Sequence, residues 1–184
     1  MFLISINQSN LSYIFLARHK WETVSLAVWM KYPNPFSSHV LSTDILSRNI
    51  DPETGTLHTI RLIHKTGTLP AWVLSMLKSQ EAFVIEESIV DPDACFMQTR
   101  TSNLTHKRFL IAEEIQTYTK SAEDQTLTRA HCKATVKCNF GNKWTGLGSS
   151  IEGMGVKRFA DHFPKSKMAL MYILDKLRTR EKSS

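Results

Sequence analysis

Trp29-Met30-Lys31-Tyr32-Pro33-Asn34-Pro35 (WMKYPNP) marks the point where a helical period stops and an extended one begins. Upstream, Trp21, Val24, Leu26, Ala27, Val28 and Met30 recur at i, i+3, i+4. That spacing predicts a helix with Glu22 in its first turn, where the positive end of the backbone dipole favours an acid. Pro33 and Pro35 end it, because each lacks an amide donor and pushes the preceding residue towards extended geometry. Lys31 is then expected in the last helical turn, a fixed cation at a helix-to-strand corner. Taken alone, the corner also reads as a lysine completing a helix C-terminus above a packed Tyr32.

Downstream the period becomes that of strands. Val40 to Ile50 has β-branched content, Asp51-Pro52-Glu53-Thr54-Gly55 is a turn with glycine at the positive-φ position, and Leu57 to Ile63 returns. This hairpin is read with Arg48 and Arg61 on its flanks. Further strands are predicted at Ala82 to Val90, Cys95 to Thr101, Arg108 to Tyr118 and Leu127 to Lys137, with Leu11 to Leu16 opening the chain. The short turns between them make neighbours antiparallel. From Ile151 the positions Met154, Phe159, His162, Phe163, Leu170, Ile173, Leu174 and Leu177 fall at helical spacing, giving a long amphipathic C-terminal helix. Pro164 should kink or split it, since an interior proline costs about 3 kcal/mol or more in a straight helix. The fold class is α+β: one domain, a curved antiparallel sheet of about six or seven strands, and a long terminal helix.

The segment Thr66 to Gln80 (TGTLPAWVLSMLKSQ) is too apolar for an ordinary surface loop, with breakers at Gly67 and Pro70. It is either a short core helix or a lid that touches a membrane, because exposed apolar patches mark binding surfaces.

Composition narrows the partners. A chain of 184 residues with 42% hydrophobic content can bury a core without staples. The net charge of +6 is unevenly held: residues 1–142 carry 14 basic and 13 acidic groups, residues 143–184 carry 9 and 4. The positive segment suits nucleic acid, an acidic membrane or a phosphate-bearing ligand. Cys95, Cys132 and Cys138 include no Cys-x-x-Cys pair, so neither a disulfide framework nor a zinc site is indicated, and they read as small apolar residues on strands. No apolar run approaches the ~20 residues of a membrane span. Residues 1–20 contain no acid and end in Arg18, His19 and Lys20. An opening strand is the reading adopted there, a mitochondrial presequence the alternative.

Enzyme-like hints fail on geometry. Gly146-Leu147-Gly148 lacks the third glycine of a dinucleotide fingerprint, since Ile151 stands there. Successive strand residues point to opposite faces, so His131 with Cys132, Glu86 with Glu87, and Glu113 with Glu114 cannot act as pairs. A nucleic-acid binder using the C-terminal segment is a competing possibility, without any helix-turn-helix or aromatic RNA-binding strand motif to support it. What remains is a cavity between sheet and helix, apolar within and cationic at its mouth, as a phospholipid requires.

Five stretches in order then carry a resemblance: WETVSLAVWMKYPNP (Trp21 to Pro35), SSHVLSTDILSRNIDPETGTLHTIRLI (Ser37 to Ile63), GTLPAWV (Gly67 to Val73), EESIVDP (Glu86 to Pro92) and KRFADHFPKSKM (Lys157 to Met168). With these the chain resembles the PRELI-like family of mitochondrial lipid transfer proteins over roughly residues 11–178, between an N-terminal extension (residues 1–10) and a basic tail (residues 179–184). SHVLS and LPAWV look most like its phosphatidic acid carriers and less like its phosphatidylserine carriers.

The resemblance implies a sheet gripping a long C-terminal helix around a lipid cavity, similar to the steroidogenic-acute-regulatory-related and phosphatidylinositol-transfer domains. It implies no catalysis, no cofactor and no metal. It further implies transport of phosphatidic acid between the outer and inner mitochondrial membranes in support of cardiolipin synthesis, and residence in the intermembrane space, peripheral to the inner membrane. The implied partners are phosphatidic acid, anionic membranes and a small helical protein with twin cysteine pairs, with no nucleic acid. By motif position the headgroup cations would be Lys31, His39, Lys65, Arg158 and Lys165, and a lid from Leu69 to about Lys78 would touch the bilayer through Leu69, Trp72, Val73 and Leu77. Moving two acyl chains of about 15 methylenes each through water would cost on the order of 20 kcal/mol at ~0.8 kcal/mol per methylene, so a carrier must enclose them. The phosphate needs several charge-assisted donors.

Overall fold

In a computed structural model of the chain, described over residues 3–6, 9–66, 81–108, 110–138 and 145–181, eight strands form one antiparallel sheet. They are β1 (Leu3–Ile6), β2 (Asn10–Ala17), β3 (Val40–Ile50), β4 (Leu57–Thr66), β5 (Glu81–Asp91), β6 (Phe96–Asn103), β7 (Leu110–Lys120) and β8 (Thr128–Cys138). Helix α1 (Trp21–Trp29) and a single 3-10 turn (Pro35–Ser37) join β2 to β3, and α2 (Thr145–Glu181) ends the described chain. The strand order is β1-β2-β8-β7-β6-β5-β4-β3. Strands β2 to β8 are the seven expected. The eighth, β1, adds residues 3–6 of the supposed extension to the sheet edge by pairing with β2.

Because β3 to β8 run as a meander while β2 pairs with β8, α1 must cross the concave side to reach the far edge. Alternation fixes that side: Leu11, Tyr13, Phe15 and Ala17 on β2, and Ala130, Cys132, Ala134 and Val136 on β8, are buried, while their neighbours are not. Helix α2 lays Val156, Ala169, Leu170, Ile173 and Leu174 on this surface, and Phe163 meets Tyr13 with ring centroids 3.8 Å apart. Burying each large aliphatic side chain contributes about 1.5–3 kcal/mol. Apolar residues on both sides of Pro164 therefore hold the helix as one unsplit element.

The β3–β4 turn forms as its residues require. Gly55 has φ +68°, its N–H donates to the Asp51 carbonyl at 2.8 Å, and the Asp51 carboxylate accepts from the Glu53 N–H at 2.9 Å. Two register shifts in β3, at Val40/Ser42 and Ile45/Ser47, leave Leu41 and Leu46 as extra residues on an exposed edge and bend the strand.

Several expectations need correction. Helix α1 stops at Trp29, so Lys31 lies beyond it rather than in its last turn. Arg61 faces inward instead of flanking the hairpin, because it alternates with Thr59 and Ile63 on the buried side of β4. Cys95 stands in the β5–β6 turn, at φ 47°, not on a strand. The terminal helix begins at Thr145, before Ile151.

Candidate functional site

The WMKYPNP corner is stitched to one face of α2. Lys31 Nζ donates to Ser166 Oγ at 2.7 Å, and the buried Asn34 amide donates to the Ala169 carbonyl at 2.9 Å while its oxygen accepts from the Phe36 N–H. Phe36 meets Tyr172 edge-on at 5.9 Å. Residues 166, 169 and 172 are three apart, so they share a side of the helix. On the other flank, Arg61 forms a buried ion pair with Glu86, its register partner on β5, and donates from Nη1 to the Trp29 carbonyl at 3.3 Å. The guanidinium carbons of Arg61 and Arg48 lie 4.6 and 4.8 Å from the Trp29 ring centroid. The helix end and the lysine after it are thereby fixed to both layers.

Under this corner, between α1, α2 and strands β3 to β7, lies a cavity of about 110 Å³, room for several water molecules. Its walls include Lys31, His39, Lys65, Arg61, Glu86 and Glu114, with Val40, Ile63, Val84 and Phe159 as apolar surface. A smaller void of about 20 Å³ shares Lys31 and Gln116 with it and extends towards Phe163. The interior is thus mixed rather than purely apolar with cations only at the mouth. The reason is alternation: Glu86 on β5, Thr99 and Thr101 on β6, and Glu114 and Gln116 on β7 all fall on inward positions.

The polar wall is ordered by hydrogen bonds. Gln116 Nε2 and Cys132 Sγ both donate to Glu114 Oε1, at 2.8 and 3.0 Å, and the Tyr118 hydroxyl donates to the Gln116 side-chain oxygen. Burial pushes the Cys132 thiol up, and the Glu114 carboxylate adds to the rise. Burial likewise raises the Tyr13 and Tyr118 hydroxyls, so all three stay protonated donors.

Lys31 and Lys65 differ in how they hold their protons. Burial pulls the Lys31 ammonium down, but Tyr32, Glu114 and Glu86 outweigh it and the net shift is upward. For Lys65 burial wins, helped by repulsion from Lys31 and opposed by Glu114, and the net shift is downward. Among the described residues neither lysine makes an ion pair.

Of the sequence-derived cations, Lys31, His39 and Lys65 line the cavity together. Arg158 and Lys165 stand on α2 and are not among the cavity's lining residues. The His39 and His162 rings lie with centroids 5.6 Å apart, tilted by 59°. Burial, then Lys65, His162, Lys31 and Lys165, depress His39 to about 4. His162 is lowered by burial and by Lys165, Lys65 and Arg158, so the surrounding cations push both imidazoles towards their neutral forms. The proposed lid residues Leu69, Trp72, Val73 and Leu77 lie outside the described residues. His131 faces outward to Ser12 Oγ at 3.0 Å while Cys132 is buried, so those two do not converge.

The sequence reading missed Arg61, Glu86, Glu114 and His162. The first three were available from the period-2 alternation that places Glu114 with Ala112, Gln116 and Tyr118, and Glu86 with Val84 and Ser88. For His162 only the tertiary approach of α2 to His39 makes it part of the site.

Among the described residues no helix is long and apolar enough to cross a membrane. The PRELI-like family profile matches residues 22–180. "Protein UPS1, mitochondrial" from Saccharomyces cerevisiae is 39% identical over 157 residues, 84% of this chain and 86% of that protein. "PRELI domain-containing protein 1, mitochondrial" from Homo sapiens is 33% identical over 163 residues, 87% and 72% of the two chains. In structure the chain is similar to human STARD10 (TM-score 0.59, 9% identity, covering 99% of this chain and 76% of that one). It is also similar to a START superfamily protein from Mycobacterium smegmatis (TM-score 0.52, 12% identity, covering 92% and 99%). At such identities the likeness concerns the fold alone.

Proposed function

The chain belongs to the PRELI-like family, and from that premise we propose that it is a non-enzymatic carrier of phosphatidic acid between the outer and inner mitochondrial membranes, feeding cardiolipin synthesis. The observation that carries the reading is the pair Lys31 and Lys65 lining one cavity without an ion-pair partner among the described residues. Burial costs the Lys65 ammonium more than its surroundings return, and an anionic ligand held between the two lysines would offset that cost. A phosphomonoester at neutral pH carries between one and two negative charges and supplies the missing acceptors.

In this reading the phosphate enters the cavity against Lys31 and Lys65. Arg158 and Lys165 form the cationic approach, and His39, uncharged at neutral pH because its pKa is depressed to about 4, offers the phosphate a ring N–H donor. The described cavity of about 110 Å³ takes the headgroup, and the acyl chains leave it along Val40, Ile63, Val84 and Phe159, under a proposed lid that includes Leu69, Trp72, Val73 and Leu77. Work is done in the intermembrane space at the surface of anionic membranes, to which each well-placed cation contributes roughly 1 kcal/mol of attraction. A small helical protein with twin cysteine pairs is the proposed partner.

Vesicle transfer tests this. Fluorescent phosphatidic acid should pass from donor to acceptor vesicles in the presence of the protein and partner, and the Lys31→Met/Lys65→Met variant should lose that transfer while keeping its helical and strand spectrum. Transfer no faster than buffer, or undiminished in the double variant, would remove the proposal.

A further inference from the structure

The cavity contains an acid that a phosphate site would not be expected to keep. Glu114 lines the same space as Lys31 and Lys65. The other inward acid, Glu86, is tied to Arg61 in a buried ion pair, although it still raises Lys31, less than Glu114 does. Cys132 and Gln116 both donate to Oε1 of Glu114, and Oε2 accepts no hydrogen bond from the described residues. A carboxylate held by two donors on one oxygen is fixed in place, with the second oxygen left to its surroundings.

We infer that Glu114 is an internal counter-ion, a positioning residue that keeps the empty cavity's two lysines charged and then competes with the lipid phosphate for them, so that the phosphomonoester is released instead of being trapped. The two roles follow from one charge. In the empty cavity burial opposes the ammonium forms, and a nearby carboxylate offsets that penalty. Glu114 raises both Lys31 and Lys65 in this way. With a phosphate bound, the same carboxylate is a like charge in a low-dielectric space and weakens the complex. For a carrier this is useful, since a headgroup bound too tightly would stay in the protein at the acceptor membrane.

The inference rests on the proposed phosphate-carrying role, and the test separates the two by using a soluble probe beside the lipid. Glycerol 3-phosphate binding would be followed by NMR titration of the full chain with its partner. Retention of phosphatidic acid would be followed on protein re-isolated from vesicles. Glu114→Gln keeps the acceptor oxygen for Cys132 and Gln116 but removes the charge; Glu114→Asp keeps the charge but shortens the reach. The expected result is about tenfold tighter binding in the Gln variant, an ordinary size for coupling between two groups that share a ligand, with slower vesicle-to-vesicle transfer and wild-type affinity in the Asp variant. Equal affinities in wild type and Gln variant, equal shifts in both variants, or no probe binding at all would overturn it. If the Gln variant binds glycerol 3-phosphate more tightly while no protein form extracts phosphatidic acid, the counter-ion role stands and the lipid-carrier reading falls.

Discussion

Gly155 sets how closely α2 approaches β8. A Cβ built there would lie 2.6 Å from Val136 Cγ1, 3.2 Å from Cγ2 and 3.3 Å from Cβ. Comfortable carbon contacts need about 3.5–4.0 Å. Val136 is fully buried on β8 and β-branched, so rotating χ1 brings one methyl in as the other leaves. Helix α2 would have to lift by roughly 1 Å, and overpacking of this kind costs about 1–3 kcal/mol. Gly153, two residues earlier in the same helix, has nothing within 4 Å of an added Cβ. Alanine gains about 1 kcal/mol of helix propensity at either position, so the propensity cancels in the comparison and the steric cost remains. Gly153→Ala should therefore melt above Gly155→Ala by about 2–12 °C, taking 2–4 °C per kcal/mol for a chain of this size. Adding Val136→Ala should narrow the gap, because the clashing methyls are gone. Thermal unfolding followed by circular dichroism measures this, and coincident melting of the two single variants would refute the packing argument.

Arg61→Met should lower stability by about 3–5 kcal/mol in urea denaturation, since Glu86 is left buried and unpaired; Arg61→Met with Glu86→Leu should recover most of the loss, and a double variant as unstable as the single one would contradict this. Because His39 is depressed from 6.5 to about 4, the unfolded chain binds more protons between those values and stability must rise with pH across that window. His162 acts in the same direction. The melting temperature of His39→Gln should accordingly fall less than that of wild type between pH 7 and pH 5, and parallel pH profiles would count against the assignment.

The sheet was legible because its strands carry their own punctuation. Val40 to Ile50, Asp51 to Gly55 and Leu57 onward announce a hairpin by β-branched content and turn chemistry, and the strands appear within a few residues of where those rules place them. The corner at Pro33 and Pro35 was legible for the same local reason. The acidic interior is less legible, because Glu113 and Glu114 are adjacent on β7 and only the alternation with Ala112, Gln116 and Tyr118 shows that Glu114 is the one that faces inward. The end of α1 at Trp29 was missed because Met30 continues the apolar period, while the Arg61 bond to the Trp29 carbonyl is a tertiary contact with no local trace. The inclusion of Leu3–Ile6 in the sheet depends on pairing with β2, which local propensity does not reveal.

The central claim is that the cavity under Lys31 and Lys65 holds the phosphate of a diacyl lipid. Native mass spectrometry of the protein with the proposed twin-cysteine partner, re-isolated from vesicles of equal parts phosphatidic acid, phosphatidylserine and phosphatidylcholine, measures this directly. The account predicts one phosphatidic acid per chain in the wild type and none in Lys31→Met/Lys65→Met. A wild type free of lipid, a bound mixture that mirrors the vesicles, or equal retention by the double variant would contradict it.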